Sequence, residues 1–93
     1  MYAVIFTSEL SNDAADYEEA SARMVELSRT QPGFIDITSA RGADGSGITV
    51  CYWESLDAID RWRRNTEHEA VQQVGRLRWY ERYDVKVCEV LER

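Results

Sequence analysis

The feature that most limits what this chain can fold into is an alternating strand that passes directly into a capped helix. From Ile48 to about Glu54 large side chains fall on both faces, with Ile48, Val50 and Tyr52 pointing one way and Thr49, Cys51 and Trp53 the other. Ser55 then offers an N-cap, Asp57 complements the helix dipole, and Leu56, Ile59 and Trp62 set an apolar stripe at helical spacing. The stripe lapses through Arg63, Arg64 and Asn65. Thr66-Glu67-His68-Glu69 restarts it with a capping-box pattern, Thr66 at the cap, and Ala70, Val71, Val74 and Leu77 give the second piece its buried face. A helix broken near Asn65 follows.

The flanking segments complete a pattern. Tyr2 to Ser8 alternates as a first strand, with Tyr2, Val4 and Phe6 on one face and Ala3, Ile5 and Thr7 on the other. Ser11, Asn12 and Asp13 are cap candidates for a helix whose stripe of Ala14, Tyr17, Ala20 or Ser21, Met24 and Leu27 runs to about Thr30. Gln31-Pro32-Gly33 stops that helix, since proline cannot continue it and glycine takes the turn. Phe34 to Arg41 is a second strand, and the glycine-rich run from Gly42 to Gly47 turns it into the Ile48 strand as an antiparallel hairpin. After Gly75 the period changes again, and about Arg82 to Leu91 alternates as a last strand.

The order strand, helix, strand, strand, helix, strand in 93 residues predicts one α+β domain spanning residues 1–93. The arrangement is ferredoxin-like βαββαβ, with a four-stranded antiparallel sheet and the first and third strands central. Right-handed crossovers place both helices on one face. An antiparallel sheet with one wet face should alternate cleanly between apolar and polar, and the first and third strands do not. The face away from the helices therefore needs a cover, and the economical one is the same face of a second copy, giving a homodimer.

Charge and composition exclude several classes. A net charge of −6 repels phosphate backbones, so nucleic acid is not an expected partner. MYAVIFTSEL has too short an apolar run for a membrane span and lacks the basic leader of a signal peptide, so a cytoplasmic protein with no membrane partner is expected. Cys51 and Cys88 then read as reduced small hydrophobes, and the third and fourth strands are not neighbours, which argues against a disulfide. Two cysteines and one histidine without close spacing do not make a zinc site. Arginines gather from Arg61 to Arg82 and acids from Glu9 to Glu26; solvated helix faces account for such runs, and the sharper alternatives are a rim for an anionic ligand or pairing with the acidic helix of a second subunit.

The early apolar strand, Pro32-Gly33-Phe34, Tyr52-Trp53-Glu54-Ser55, Trp62, His68 and the closing Tyr80 to Val90 segment together resemble the antibiotic biosynthesis monooxygenase family of the dimeric α/β barrel superfamily. The resemblance implies a ferredoxin-like protomer, a dimer with a barrel-like interface and a pocket between sheet and helices. It also implies activities that range from cofactor-independent oxygenation of quinols and anthrones to haem degradation, or no activity at all. For the haem branch it implies an asparagine near the end of the first strand and a histidine three turns beyond the helix tryptophan. Thr7 or Ser8 and Gln72 stand at those places, with His68 four residues too early, so no cofactor is expected.

The candidate site residues are accordingly His68, Trp53 and Trp62. His68 is the only side chain with an unperturbed pKa near neutrality and would remove or orient a hydroxyl proton; the alternative is a surface or hydrogen-bonded histidine at a helix start. The helix N-terminus lowers its pKa while Glu67 and Glu69 raise it, and the net sign is open. Trp53 and Trp62 are core residues that can also wall a pocket for a planar ligand. Trp79, Tyr80 and Tyr83, with Arg78 and Arg82, form an aromatic cluster whose place is core, interface or pocket rim. The reading that combines these is a cofactor-independent monooxygenase for a small electron-rich aromatic or quinol. The alternative is a non-catalytic homodimer of the same fold that binds a small ligand or supports another protein.

Overall fold

A computed structural model describes all residues 1–93. Its elements are β1 (Tyr2–Leu10), α1 (Tyr17–Arg29), β2 (Phe34–Arg41), β3 (Ser46–Trp53), α2 (Leu56–Arg63), α3 (Thr66–Val74), a π-helical turn (Gly75–Trp79) and β4 (Tyr80–Glu89). The sheet is antiparallel in the order β2-β3-β1-β4, the ferredoxin-like arrangement, with the two double-faced strands in the centre.

Register sorts the side chains between the faces. Tyr2, Val4 and Phe6 lie opposite Trp53, Cys51 and Thr49 on the helix side, while Ala3, Ile5 and Thr7 lie opposite Tyr52, Val50 and Ile48 on the open side. The core is the cluster Cys51, Trp53, Ala58, Ile59 and Trp62, with Met24, Leu27, Phe34 and Ile37 packed against it. Cys51 and Cys88 are free, on opposite faces of non-adjacent strands. No helix is long and apolar enough to cross a membrane.

Close approach seats α2. Gly33 has φ 85°, and a Cβ there would lie 2.5 Å from the Ala58 Cβ. Glycine is needed for both reasons, and the Gly33 carbonyl also accepts the Glu54 N–H at 2.8 Å. Ser55 caps α2 as its sequence suggests, its Oγ accepting the Ala58 N–H at 3.1 Å.

Four local expectations are corrected. The first helix begins at Tyr17, with no side-chain cap, because Ser11 and Asp13 are engaged elsewhere. The Ser11 hydroxyl donates to the Arg78 carbonyl, and Asp13 and Asp16 hold the Arg78 guanidinium at 3.3 and 2.7 Å. Asn65, not Thr66, caps α3, its Oδ1 accepting the N–H groups of Glu67 (3.1 Å) and His68 (3.2 Å). Leu56, the first residue of α2 at the sheet rim, is 50% exposed, and Ala58 takes its place in the core. In the last helical stretch Ala70 is exposed, Val71 and Val74 are half-buried, and Leu77 is 84% exposed. The wider π turn rotates the chain so that Trp79 goes inward instead, and β4 starts at Tyr80.

The charge asymmetry resolves in part within one chain. Arg78 pairs with Asp13 and Asp16 and Arg82 with Glu9, so three acids of the acidic segment find their complement in the same protomer, while Arg61, Arg63, Arg64 and Arg76 make no ion pair.

Candidate functional site

The helices do not cover their side of the sheet evenly. Between the three helices and the sheet lies a cleft of about 550 Å³, lined mainly by apolar side chains and floored by residues of all four strands. Trp53, Trp62 and His68, drawn from one stretch of sequence, form a wall of it.

Trp53, at the end of β3, is fully buried and stacks on Trp62 at 6.1 Å between centroids, while Phe34 meets its edge at 5.7 Å. Its indole Nε1–H has no hydrogen-bond acceptor, an unsatisfied donor in the cleft lining. Cys51, also on the cleft floor, is no nucleophile: burial pushes its thiol up to about 11.

His68 lies flat on Trp62, ring centroids 3.8 Å apart and 12° from parallel. The break between α2 and α3 creates this arrangement. A helix leaves its last carbonyls without intrahelical partners, and that of Trp62 is within 2.9 Å of His68 Nδ1. A carbonyl only accepts, so Nδ1 carries the proton and the Nε2 lone pair is left without a partner. Gln72 Nε2 lies 3.4 Å from Nδ1 but donates to the Arg63 carbonyl at 3.1 Å, which suits the same tautomer.

The sign that sequence left open is now fixed. Burial lowers the His68 pKa below its ordinary value, and the bond to Trp62 opposes this only in part. Glu67 does not raise it, because Arg23 holds that carboxylate through Nε at 2.8 Å and Nη2 at 3.2 Å. His68 is therefore a neutral, half-buried imidazole with a free acceptor nitrogen.

At the other end of the cleft the sequence offers Tyr80 as a pocket-rim candidate but singles out neither Tyr17 nor Arg41. Tyr17 and Tyr80 line that end with rings 5.9 Å apart, and Trp79 meets the Tyr17 ring edge-on at 5.6 Å. Arg41 stands behind them, its Nη2 donating to Ser8 Oγ at 2.6 Å and to the Tyr17 hydroxyl at 3.3 Å. The signal was parity: Ile37, Ser39 and Arg41 share the helix side of β2, so an arginine there points inward. All three of the aromatic cluster line the cleft: Trp79 is buried with its indole N–H on Asp16 (2.8 Å), Tyr80 is half-buried, and Tyr83 stays 47% exposed.

No three His, Cys, Asp or Glu side chains converge as a metal site would require. Gln72 lines the cleft with its amide turned to Arg63.

Comparison with known proteins shows the family. The sequence profile described as antibiotic biosynthesis monooxygenase matches residues 1–74. The uncharacterised protein YqjZ of Bacillus subtilis (strain 168) is 53% identical over 89 residues, 96% of this chain and 78% of its own. SnoaB, a cofactor-independent oxygenase from Streptomyces nogalater, superposes with a TM-score of 0.83 at 18% identity, over 99% of this chain and 94% of that one. Rv0793 from Mycobacterium tuberculosis gives 0.86 at 18% identity, over 99% and 96%. The superpositions speak for the fold. Kinship rests on the profile and on the Bacillus relative, and by both the chain belongs to the antibiotic biosynthesis monooxygenase family.

Proposed function

We propose that the cleft binds a small, planar, electron-rich hydroxyaromatic or quinol and oxygenates it without a cofactor, with His68 as base and Trp53 and Trp62 as walls. The observation that carries the reading is the tautomer of His68. With Nδ1–H tied to the Trp62 carbonyl and the ring neutral, Nε2 is an acceptor beside a flat aromatic surface. That is what a base acting on a stacked phenol or on an acidic ring CH₂ requires.

For an anthrone-like CH₂ the balance is simple. A substrate C–H proton passes to Nε2, and the carbanion, delocalised onto the ring oxygen, gives an electron to O₂. Recombination forms a C–O bond, and the peroxide collapses to C=O. One oxygen atom stays in the product, and the other leaves as water with the two hydrogens of the CH₂. The apolar lining keeps water from the anion. Oxygen uptake over a panel of anthrones and quinols tests this. Wild type is expected to turn over at least one, and His68→Ala to lose about 10²-fold or more. Silence of wild type across the panel would leave a non-catalytic ligand-binding dimer as the better reading.

The same proposal includes a homodimer through the open face of the sheet. Ile5, Ile48, Val50 and Tyr52 share that face and none of them is buried in the protomer, so apolar surface there awaits a cover. Sedimentation showing a folded monomer at micromolar concentration would end this part.

A further inference from the structure

Arg41 is an uncommon cation. It is half-buried, yet it makes no ion pair in a chain whose net charge is −6. Its partners are all neutral: the Ser8 hydroxyl and carbonyl, the Gly45 carbonyl and the Tyr17 hydroxyl. A seat is built for it. A Cβ at position 47 would fall 2.4 Å from the guanidinium carbon, so Gly47 is what allows the group to lie across β3. Its charge also stands over the Tyr17 ring, 5.0 Å from the centroid.

Arg41 does not line the cleft, whereas Tyr17 and Tyr80 do. Because the Tyr17 oxygen accepts from Arg41, its own proton is free to be donated elsewhere, and a cation behind a hydroxyl makes it a better donor. Tyr80 beside it remains protonated, since burial and then Tyr17 raise its pKa while Arg41 opposes them. We propose that Tyr17, backed by Arg41, is the end of the cleft that holds the oxyanion formed when the substrate loses its proton.

The placement suits that task. Glu67, next to His68, is paired with Arg23, which lies six residues, or about 9 Å of helix rise, along α1 from Tyr17. Acceptor and donor thus stand at opposite ends of the cleft. A fused-ring ligand with its acidic hydrogen at one edge and an oxygen at the other presents a proton to Nε2 as charge builds opposite the Tyr17 hydroxyl. A donor already oriented stabilises that charge without reorganising at the moment of reaction. Tyr17 would be the catalytic residue and Arg41 a positioning residue.

The inference rests on the cleft being the substrate site, and its test has a readout apart from turnover. Alizarin, 1,2-dihydroxyanthraquinone, changes colour on ionisation, so its apparent pKa can be titrated free and protein-bound. Wild type is expected to lower it by about one unit or more. Tyr17→Phe should lose that shift, and Gly47→Ala, which displaces the guanidinium while keeping every charge, should lose most of it; Arg41→Lys should retain part. If anthrone is turned over, Tyr17→Phe should lower kcat about tenfold or more with little change in KM. A bound dye with unshifted ionisation in wild type, a full shift surviving in Tyr17→Phe, or no dye binding at all overturns the assignment. A Tyr17-dependent shift without any oxygen uptake by wild type supports the donor end while removing the oxygenase reading.

Discussion

The β3 and β4 sides of the helix-covered face have similar side chains and opposite fates. Over β3, Trp53 is fully buried, and Ile59 and Trp62 are at most 9% exposed. Over β4, Tyr83, Val85 and Val87 point to the same side of the sheet and remain 47–51% exposed, and α3 buries none of its residues. Apolar character alone does not close a sheet face. Closure over β3 depends on backbone contact, Gly33 against Ala58, which brings α2 down. Over β4 the break at Asn65 leaves α3 standing off, so the cleft, whose floor reaches Cys51 and Trp53 of β3, is left uncovered on this side.

The largest effect that could break this comparison is on stability. Trp53→Ala should cost about 3–5 kcal/mol, since its ring contacts Trp62 and Phe34 and the site cannot collapse. Val87→Ala should cost under about 1 kcal/mol, because half of its side chain already meets water. Urea midpoints decide it; equal losses would mean that the two sides are not differently packed. Next comes Gly33→Ala, expected at about 1–3 kcal/mol from the positive φ and the overlap with Ala58. A neutral outcome would remove the backbone-contact explanation for the closed side.

A smaller change acts on the break itself. Asn65→Ala removes the acceptor for two N–H groups at the start of α3 and should cost about 1 kcal/mol. His68 is one of those two donors, so ligand affinity in the cleft should fall by more than the loss of stability explains. Unchanged alizarin binding would separate the cap from the site.

How much of this was legible follows the range of the interactions. The sheet, its double-faced central strands, the Ser55 cap and the break in the second helix depend on neighbours in sequence, and periodicity carried them. The start of α1 was misread because Ser11 and Asp13 look like caps, and what diverts them, Arg78, is 65 or more residues away. Leu77 was misassigned because a π turn changes the period just where the pattern was being extended. Trp53, Trp62 and His68 could be grouped because one stretch holds them, whereas Tyr17, Arg41 and Tyr80 come from three elements that only the fold unites. The His68 tautomer was out of reach, since it depends on a carbonyl that the helix break leaves available.

The smallest expected effect concerns pH, and it sharpens the comparison by separating burial from charge at the boundary between the two sides. Burial lowers the His68 pKa in the folded state, so the unfolded chain binds more protons there. The stability contributed by the neutral ring is then fully present above the unfolded value, about 6.5, and is lost as pH falls through the lower folded value. Wild type should lose stability across that window relative to His68→Gln, which has nothing to protonate. Catalysis, if His68 is the base, should share the sign: kcat/KM should hold at pH 6.5 and fall only below it. A rate already falling above pH 6.5 would mean that the titrating base is not a buried imidazole. The stacked ring on Trp62 would then be part of the wall rather than of the chemistry.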